Sequence, residues 1–173
     1  MLFRSKCDVA NIMFGWVHDR HVNEITQTDK QITMKYGYMD FVRTIHMDQK
    51  QHPKNIKPSR GGHSIGSWDG DTLVVDTVGF NDKSWFDFRG HPHTDKLHTV
   101  ERYTRKDFNT LVREILIDDP GAYSKPFTVT FTAKLMPKGE LMEYICQENN
   151  KDVPHIIGPA GPGGGQVEPR AQR

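Results

Sequence analysis

The sequence predicts a mainly β protein, an antiparallel up-and-down β-barrel of calycin-like form with eight or nine strands. Three observations carry that reading. Apolar residues recur with a period of two through the middle of the chain, the mark of strands with one buried face. Short turn signals separate the patterned runs. Capped segments with helical spacing are missing, so crossover helices and a parallel sheet are not expected. Closing such a meander into a barrel removes exposed strand edges; a two-sheet β-sandwich is the alternative for the same strand count.

In chain order, 24–28 and 31–38 read as a pair turned at Asp29-Lys30, followed by 40–47. The clearest hairpin joins 63–68 to 71–80 through Asp69-Gly70, because Asp-Gly accepts the positive φ angles of a type I′ turn. Its second strand, Thr72-Leu73-Val74-Val75-Asp76-Thr77-Val78, is rich in β-branched residues. Residues 97–105 and 110–118 pair around Lys106-Asp107-Phe108-Asn109, and 127–136 and 140–147 pair around Pro137-Lys138-Gly139. These runs place one β domain at 23–152. Before it, 1–22 holds apolar positions (Ile12, Met13, Phe14, Trp16, Val17) without a sustained period. After it, 153–173 is rich in Gly and Pro, cannot supply a buried face and is expected to be flexible.

The 173 residues suit one domain with a real core. Hydrophobic residues make up 35% and charged residues 26%, a polar but foldable composition. A formal net charge of +1 provides no global basic field, so neither nucleic acid nor an acidic membrane is an expected partner. No stretch approaches the roughly 20 apolar residues of a membrane span, and the start breaks off before a run of signal-peptide length, so nothing in the chain as written directs export. Cys7 and Cys146 are the only cysteines, which rules out a disulfide framework or a Cys-x-x-Cys site. A nucleophile elbow, a phosphate loop and a dinucleotide fingerprint are all missing. Gly61-Gly62-His63-Ser64 looks superficially like an anion-binding loop, but no helix follows to add its dipole, and it reads as a tight approach into a strand.

The run from Gly62 through Trp68-Asp69-Gly70-Asp71 to Asn81-Asp82 resembles a family of bacterial proteins, often exported, for which no reaction is established. Three further runs resemble the same family: Gly90-His91-Pro92-His93-Thr94 through Glu101-Arg102-Tyr103, Asp118-Asp119-Pro120 through Lys125-Pro126, and Glu143-Tyr144-Ile145-Cys146 through Asn149-Asn150. The likeness covers about 24–152 and implies no activity. The signal sequence associated with such proteins does not appear at the front of this chain, which leaves the compartment unassigned.

Candidate chemistry falls in three places. The connection 80–96 is longer than a hairpin loop and carries Trp85, Phe86, Phe88, His91 and His93, and long loops inside compact domains usually serve a function. It reads as a lid over a barrel mouth or as a plug of plain core. Trp68, Trp85, Phe86, Phe88 and Tyr103 are the expected ligand contacts. His91, His93 and His98, with His63 near the same end, supply the imidazoles of a possible zinc or copper site, the one cofactor class the residues suggest. Asp76 and Glu101 interrupt β-rich runs; pointing into a barrel, either would have its pKa raised by burial, whereas on a solvated outer face or in an ion pair with Arg102 or Arg113 it would be structural alone. The expected catalytic set is His63, Asp76, His91, His93 and Glu101. The expected function is a barrel that binds a small, partly apolar molecule and acts on it by acid–base chemistry, with lyase, isomerase and hydrolase unseparated. The alternatives are a non-catalytic binding or self-association module, in which the chain forms a homo-oligomer, and a histidine-ligated metal-binding protein.

Overall fold

Alternation of inward and outward side chains builds the central strands, most strictly in Thr72–Val78, where Leu73, Val75 and Thr77 are buried and the residues between them are half-buried. The computed structural model describes residues 11–13, 16, 23–37, 41–87 and 89–141. All of these lie in one unit, Val9–Tyr144. The strands are β1 (Asn23–Gln27), β2 (Gln31–Tyr36), β3 (Phe41–His46), β4 (His63–Asp69), β5 (Thr72–Val78), β6 (His98–Asp107), β7 (Thr110–Asp118) and β8 (Phe127–Lys134). They form a single sheet in sequence order, curled into a half-barrel, not the two sheets of a sandwich. The turn of the central hairpin falls one residue later than expected: Asp69 pairs with Thr72, leaving Gly70-Asp71 as the turn, with Gly70 at φ 58°. The expected ninth strand, 140–147, lies outside the described residues except for Glu140 and Leu141, which are not in a strand. Among the described residues no helix is long and apolar enough to cross a membrane.

One junction departs from the up-and-down meander. β3 and β4 run parallel, and only Ile45↔Ser64 and His46↔Ile65 pair. A parallel neighbour needs a connection long enough to return the chain to the starting end, and 47–62 does this without a helix. The return is held by Ser59, whose amide donates to the Gly79 carbonyl at 3.1 Å and whose carbonyl accepts from the Asn81 amide at 2.9 Å. Gly79 has φ 75°, and a Cβ there would stand 2.5 Å from Ile56 Cγ2, so the crossing chain lies directly on it.

The inward residues form two apolar clusters. One gathers Ile32, Met34, Tyr36, Ile45, Leu73, Val75 and Tyr103. The other gathers Phe80, Phe86, Leu97, Ile115 and Ile117, and is joined by Ile12 and Met13 from the opening segment. Phe127, Val129 and Phe131 on β8 pack against it half-buried.

A polar layer is buried with these clusters. Glu101 is wholly buried on β6 and meets two guanidinium groups. Arg43 of β3 donates from Nη1 to Oε1 at 3.1 Å and pairs through Nη2 with Oε2. Arg113 of β7 donates from Nε at 2.7 Å and Nη2 at 2.6 Å to Oε1, and the Tyr103 hydroxyl donates to the same oxygen at 2.7 Å. Arg43 also donates to Ser64 Oγ (3.0 Å) and Thr77 Oγ1 (2.8 Å), which bond each other. The Arg113 guanidinium lies 5.2 Å from the Trp16 ring and 5.6 Å from the Phe131 ring. Glu101 therefore points inward, but the expected rise in its pKa does not occur. Burial alone pushes the carboxyl up; Arg113 and Arg43 outweigh it and hold the group at about 2.

Replacing Glu101 by Gln leaves two buried guanidiniums without their counter-charge, and such losses cost roughly 3–5 kcal/mol. Urea unfolding of Glu101→Gln measures this; a loss below about 1 kcal/mol contradicts the buried pairing. Because the folded pKa is depressed from an ordinary 4.5 to about 2, the stability Glu101 contributes is fully present above pH 4.5 and disappears as pH falls toward 2. Unfolding midpoints of the wild type fall across that window, and those of Glu101→Gln lack this component.

Candidate functional site

Outward positions on four strands bring histidines together around one carboxylate. In the ladder, Ile65 pairs with Asp76 and Asp76 with Val100. His63 on β4 and His98 on β6 thus lie diagonally on either side of Asp76, within reach for long side chains. His98 Nε2 bonds Asp76 Oδ2 at 2.9 Å. His52, from the 47–62 connection, places Nε2 2.8 Å from Asp76 Oδ1 and Nδ1 2.8 Å from His63 Nδ1. His46 of β3 stacks on His63, with ring centroids 4.9 Å apart and planes 14° from parallel.

These contacts set the protons. Burial pushes the Asp76 carboxyl up, but hydrogen bonds from His98 and His52 more than offset that and hold it below its ordinary value. It is an acceptor only. His52 must then carry its proton on Nε2, and with both rings neutral its Nδ1 accepts from His63 Nδ1–H. The Nε2 of His63 is left with the free lone pair. Burial, and then the neighbouring His46 and His52, push the His63 pKa below 6.5, so the basic form prevails at neutral pH.

His63 also lines a pocket of about 560 Å³ at the parallel junction. Because β3 and β4 share only two register pairs, the first half of β3 and segment 58–62 leave a gap between them, walled by Phe41, Val42, Arg43, His46, Arg60, Ser64 and Asn81. Gly62 makes the tight approach expected of it: φ is 63°, and a Cβ would stand 2.7 Å from the Val78 carbonyl oxygen. A second hollow, of about 730 Å³, opens between β1, β2 and the β4–β7 strands. Ile25, Ile32, Met34, Trp68, Leu73, Tyr103 and Leu111 line it. Two of the expected ligand contacts, Trp68 and Tyr103, meet there.

The aromatic loop lies elsewhere. Phe86 is core in the cluster with Phe80 and Leu97, Trp85 is half-exposed and covers Gly90, and Phe88 lies outside the described residues. Neither Trp85 nor Phe86 lines either hollow. His93 is buried against Phe86 and bonds Ser84 Oγ at 3.0 Å; burial pushes its pKa down, although the Thr94 carbonyl and Asp119 favour the charged form. His91 is exposed and bonds Asp87 at 2.7 Å. The three histidines expected to share a metal thus take three different partners, Asp87, Ser84 and Asp76. Among the described residues no group of three or more His, Cys, Asp or Glu is arranged to hold a metal ion. The loop is strapped by Asp119, which accepts from the Thr94 amide and hydroxyl at 2.6 Å each and from the Gly121 amide at 3.0 Å.

Of the expected catalytic set, the fold joins His63 to Asp76 through His52, buries Glu101 in an ion cluster and leaves His91 and His93 on the loop. Nothing in the sequence pattern singles out His46 and His52. His52 sits in an unpatterned connection, and only the parallel β3–β4 pairing brings it over Asp76. No protein-family model, curated protein or solved structure matches this chain.

Hydrogen bonds to a buried charged acceptor contribute about 1.5–3 kcal/mol, so Asp119→Ala should lower stability by about that amount. It should also speed amide exchange in 84–97 selectively. Unchanged exchange there would mean that Asp119 does not hold the loop.

Proposed function

We propose that this chain binds a small, partly apolar molecule in the pocket at the β3–β4 junction and acts on it by acid–base chemistry, with His63 as the base. The single observation that supports this is the Asp76–His52–His63 chain of 2.8 Å contacts ending on a pocket wall. A proton taken by His63 Nε2 from the bound molecule is matched by transfer of the Nδ1 proton to His52 Nδ1. The positive charge then rests on His52, directly against the Asp76 carboxylate, where it is stabilised. His98 holds the second oxygen of Asp76 and keeps the carboxylate oriented. His46, stacked on His63, restrains that ring. Phe41, Val42 and Pro58 offer apolar wall to the rest of the molecule.

The closed, calycin-like barrel belongs to the same proposal. Its support is the curl of the sheet and the two apolar clusters formed by its inward residues. In this reading the hollow beside Trp68 and Tyr103 is a separate feature of the concave face, remote from the base.

Saturation-transfer NMR against a library of small soluble molecules tests the binding, and turnover of the binders tests the chemistry. His63→Ala should keep binding while lowering kcat/KM by about 10²–10⁴-fold, the usual weight of a general base. Asp76→Asn should lower it as well. Turnover that His63→Ala and Asp76→Asn both leave unchanged would remove His63 as the base. The pH profile of kcat/KM should have its acid limb below pH 6.5, because burial, His46 and His52 depress the His63 pKa while Asp76 acts only through His52. A limb above 6.5 contradicts the assignment.

A further inference from the structure

The curl of the sheet leaves one apolar area that faces inward and is still wet. In the β4–β5–β6 ladder Trp68 pairs with Leu73 and Leu73 with Tyr103; in β1–β2 Ile25 pairs with Met34 and Gln27 with Ile32. Directly opposed residues share one face of a sheet, and Ile32, Met34, Leu73 and Tyr103 all belong to the inner cluster. Trp68 and Ile25 therefore point to the concave face, where apolar side chains are ordinarily covered. Trp68 is nonetheless 52% exposed and Ile25 44%. The neighbouring cluster around Leu97, Ile115 and Ile117 differs, because Ile12, Met13 and Phe86 pack into it.

The wet area is the wall of the 730 Å³ hollow, a volume that suits one small molecule. Its floor is apolar. Ile32, Met34, Leu73 and the Tyr103 ring form it, and the Tyr103 hydroxyl is committed to Glu101 at 2.7 Å. Gln27, Asp71 and Arg105, which also line the hollow, are all exposed, so polarity sits at the mouth. Asp71 and Arg105 carry opposite charges, and Arg105 is turned toward Phe108, donating to its carbonyl at 2.9 Å with the guanidinium 5.2 Å from its ring. The described wall thus has no net charge with which to select an ion, and a charge carried to the floor would be desolvated without a partner.

We infer that this hollow is a second binding site, for a neutral, ring-sized apolar molecule that packs on Trp68, Ile25 and the Tyr103 ring with its polar end at the mouth. The inference is independent of the proposed chemistry, because His52, His63 and Asp76 do not line this hollow.

The test is NMR titration of the full chain at pH 7.5 with three molecules that share one ring system and differ in charge: 2-naphthol, 2-naphthoate and 2-naphthylmethylammonium. 2-Naphthol should shift the Trp68 indole and Met34 methyl resonances with a Kd of about 1 mM or tighter, and neither ion should bind more tightly. Trp68→Ala and Ile25→Lys, at exposed positions where substitution costs the fold little, should each weaken 2-naphthol by about three- to tenfold. His63→Ala should leave its affinity unchanged. Shifts confined to His63 and Asn81 would put the molecule in the other pocket, overturning this inference while leaving the proposed function standing. Absence of binding, tighter binding of either ion, or unchanged affinity in either hollow variant also overturns it. So do Trp68 shifts that follow protein concentration without 2-naphthol, since a second copy of the chain would then occupy the hollow.

Discussion

The meeting of Arg43 and Arg113 on Glu101 is the constraint on which the rest of the structure depends. Arg43 stands on β3 and Glu101 on β6, with β4 and β5 between them. Neighbouring strands lie about 4.8 Å apart, so in a flat sheet the two backbones are separated by roughly 14 Å. They touch because the sheet curls into a half-barrel and both side chains reach across its concave face. The hydrogen bonds from Arg43 to Ser64 and Thr77 tie the two intervening strands to the same point. An apolar core would curl the sheet as well, but this polar layer also dictates which residues meet, since a shift by one residue would turn Glu101 to the outside.

That curl determines what the convex face can do. With every second residue of β3 to β6 committed to the interior, His46, His63, Asp76 and His98 all point out on neighbouring strands. The parallel junction adds the rest: a return segment that carries His52 over Asp76, and a gap that His63 helps to wall. Chemistry therefore gathers where the sheet is least regular. β7 and β8 pair with their neighbours along long antiparallel ladders and carry no comparable cluster among the described residues.

The local content of the fold was legible in the residues. Period-two patterning located eight strands to within a few positions, and Asp69-Gly70 marked the central hairpin. The parallel pairing was not legible, because 47–62 has no periodicity and nothing in it marks a crossover. The candidate site was legible in part for the same reason. His63 and Asp76 stood out on patterned strands, whereas His52 gains its role only from where that connection returns. Glu101 shows the opposite failure. Its facing stayed open in the sequence, and the sign of its pKa shift depends first on Arg113 of the neighbouring strand and then on Arg43, 58 positions away in the chain, which sequence spacing does not connect. The aromatic loop read equally as lid or plug, and Phe86 and His93 make it largely a plug.

The central claim is that Asp76 sets the proton positions of His52 and His63 so that His63 Nε2 carries a free lone pair. Long-range proton–nitrogen correlation spectra of the nitrogen-15 labelled protein at pH 7.5 report it directly, since the two nitrogens of a neutral imidazole differ according to which one bears the proton. The account predicts His52 protonated on Nε2 and His63 on Nδ1, with that pattern lost in Asp76→Asn. His63 protonated on Nε2 in the wild type would contradict it.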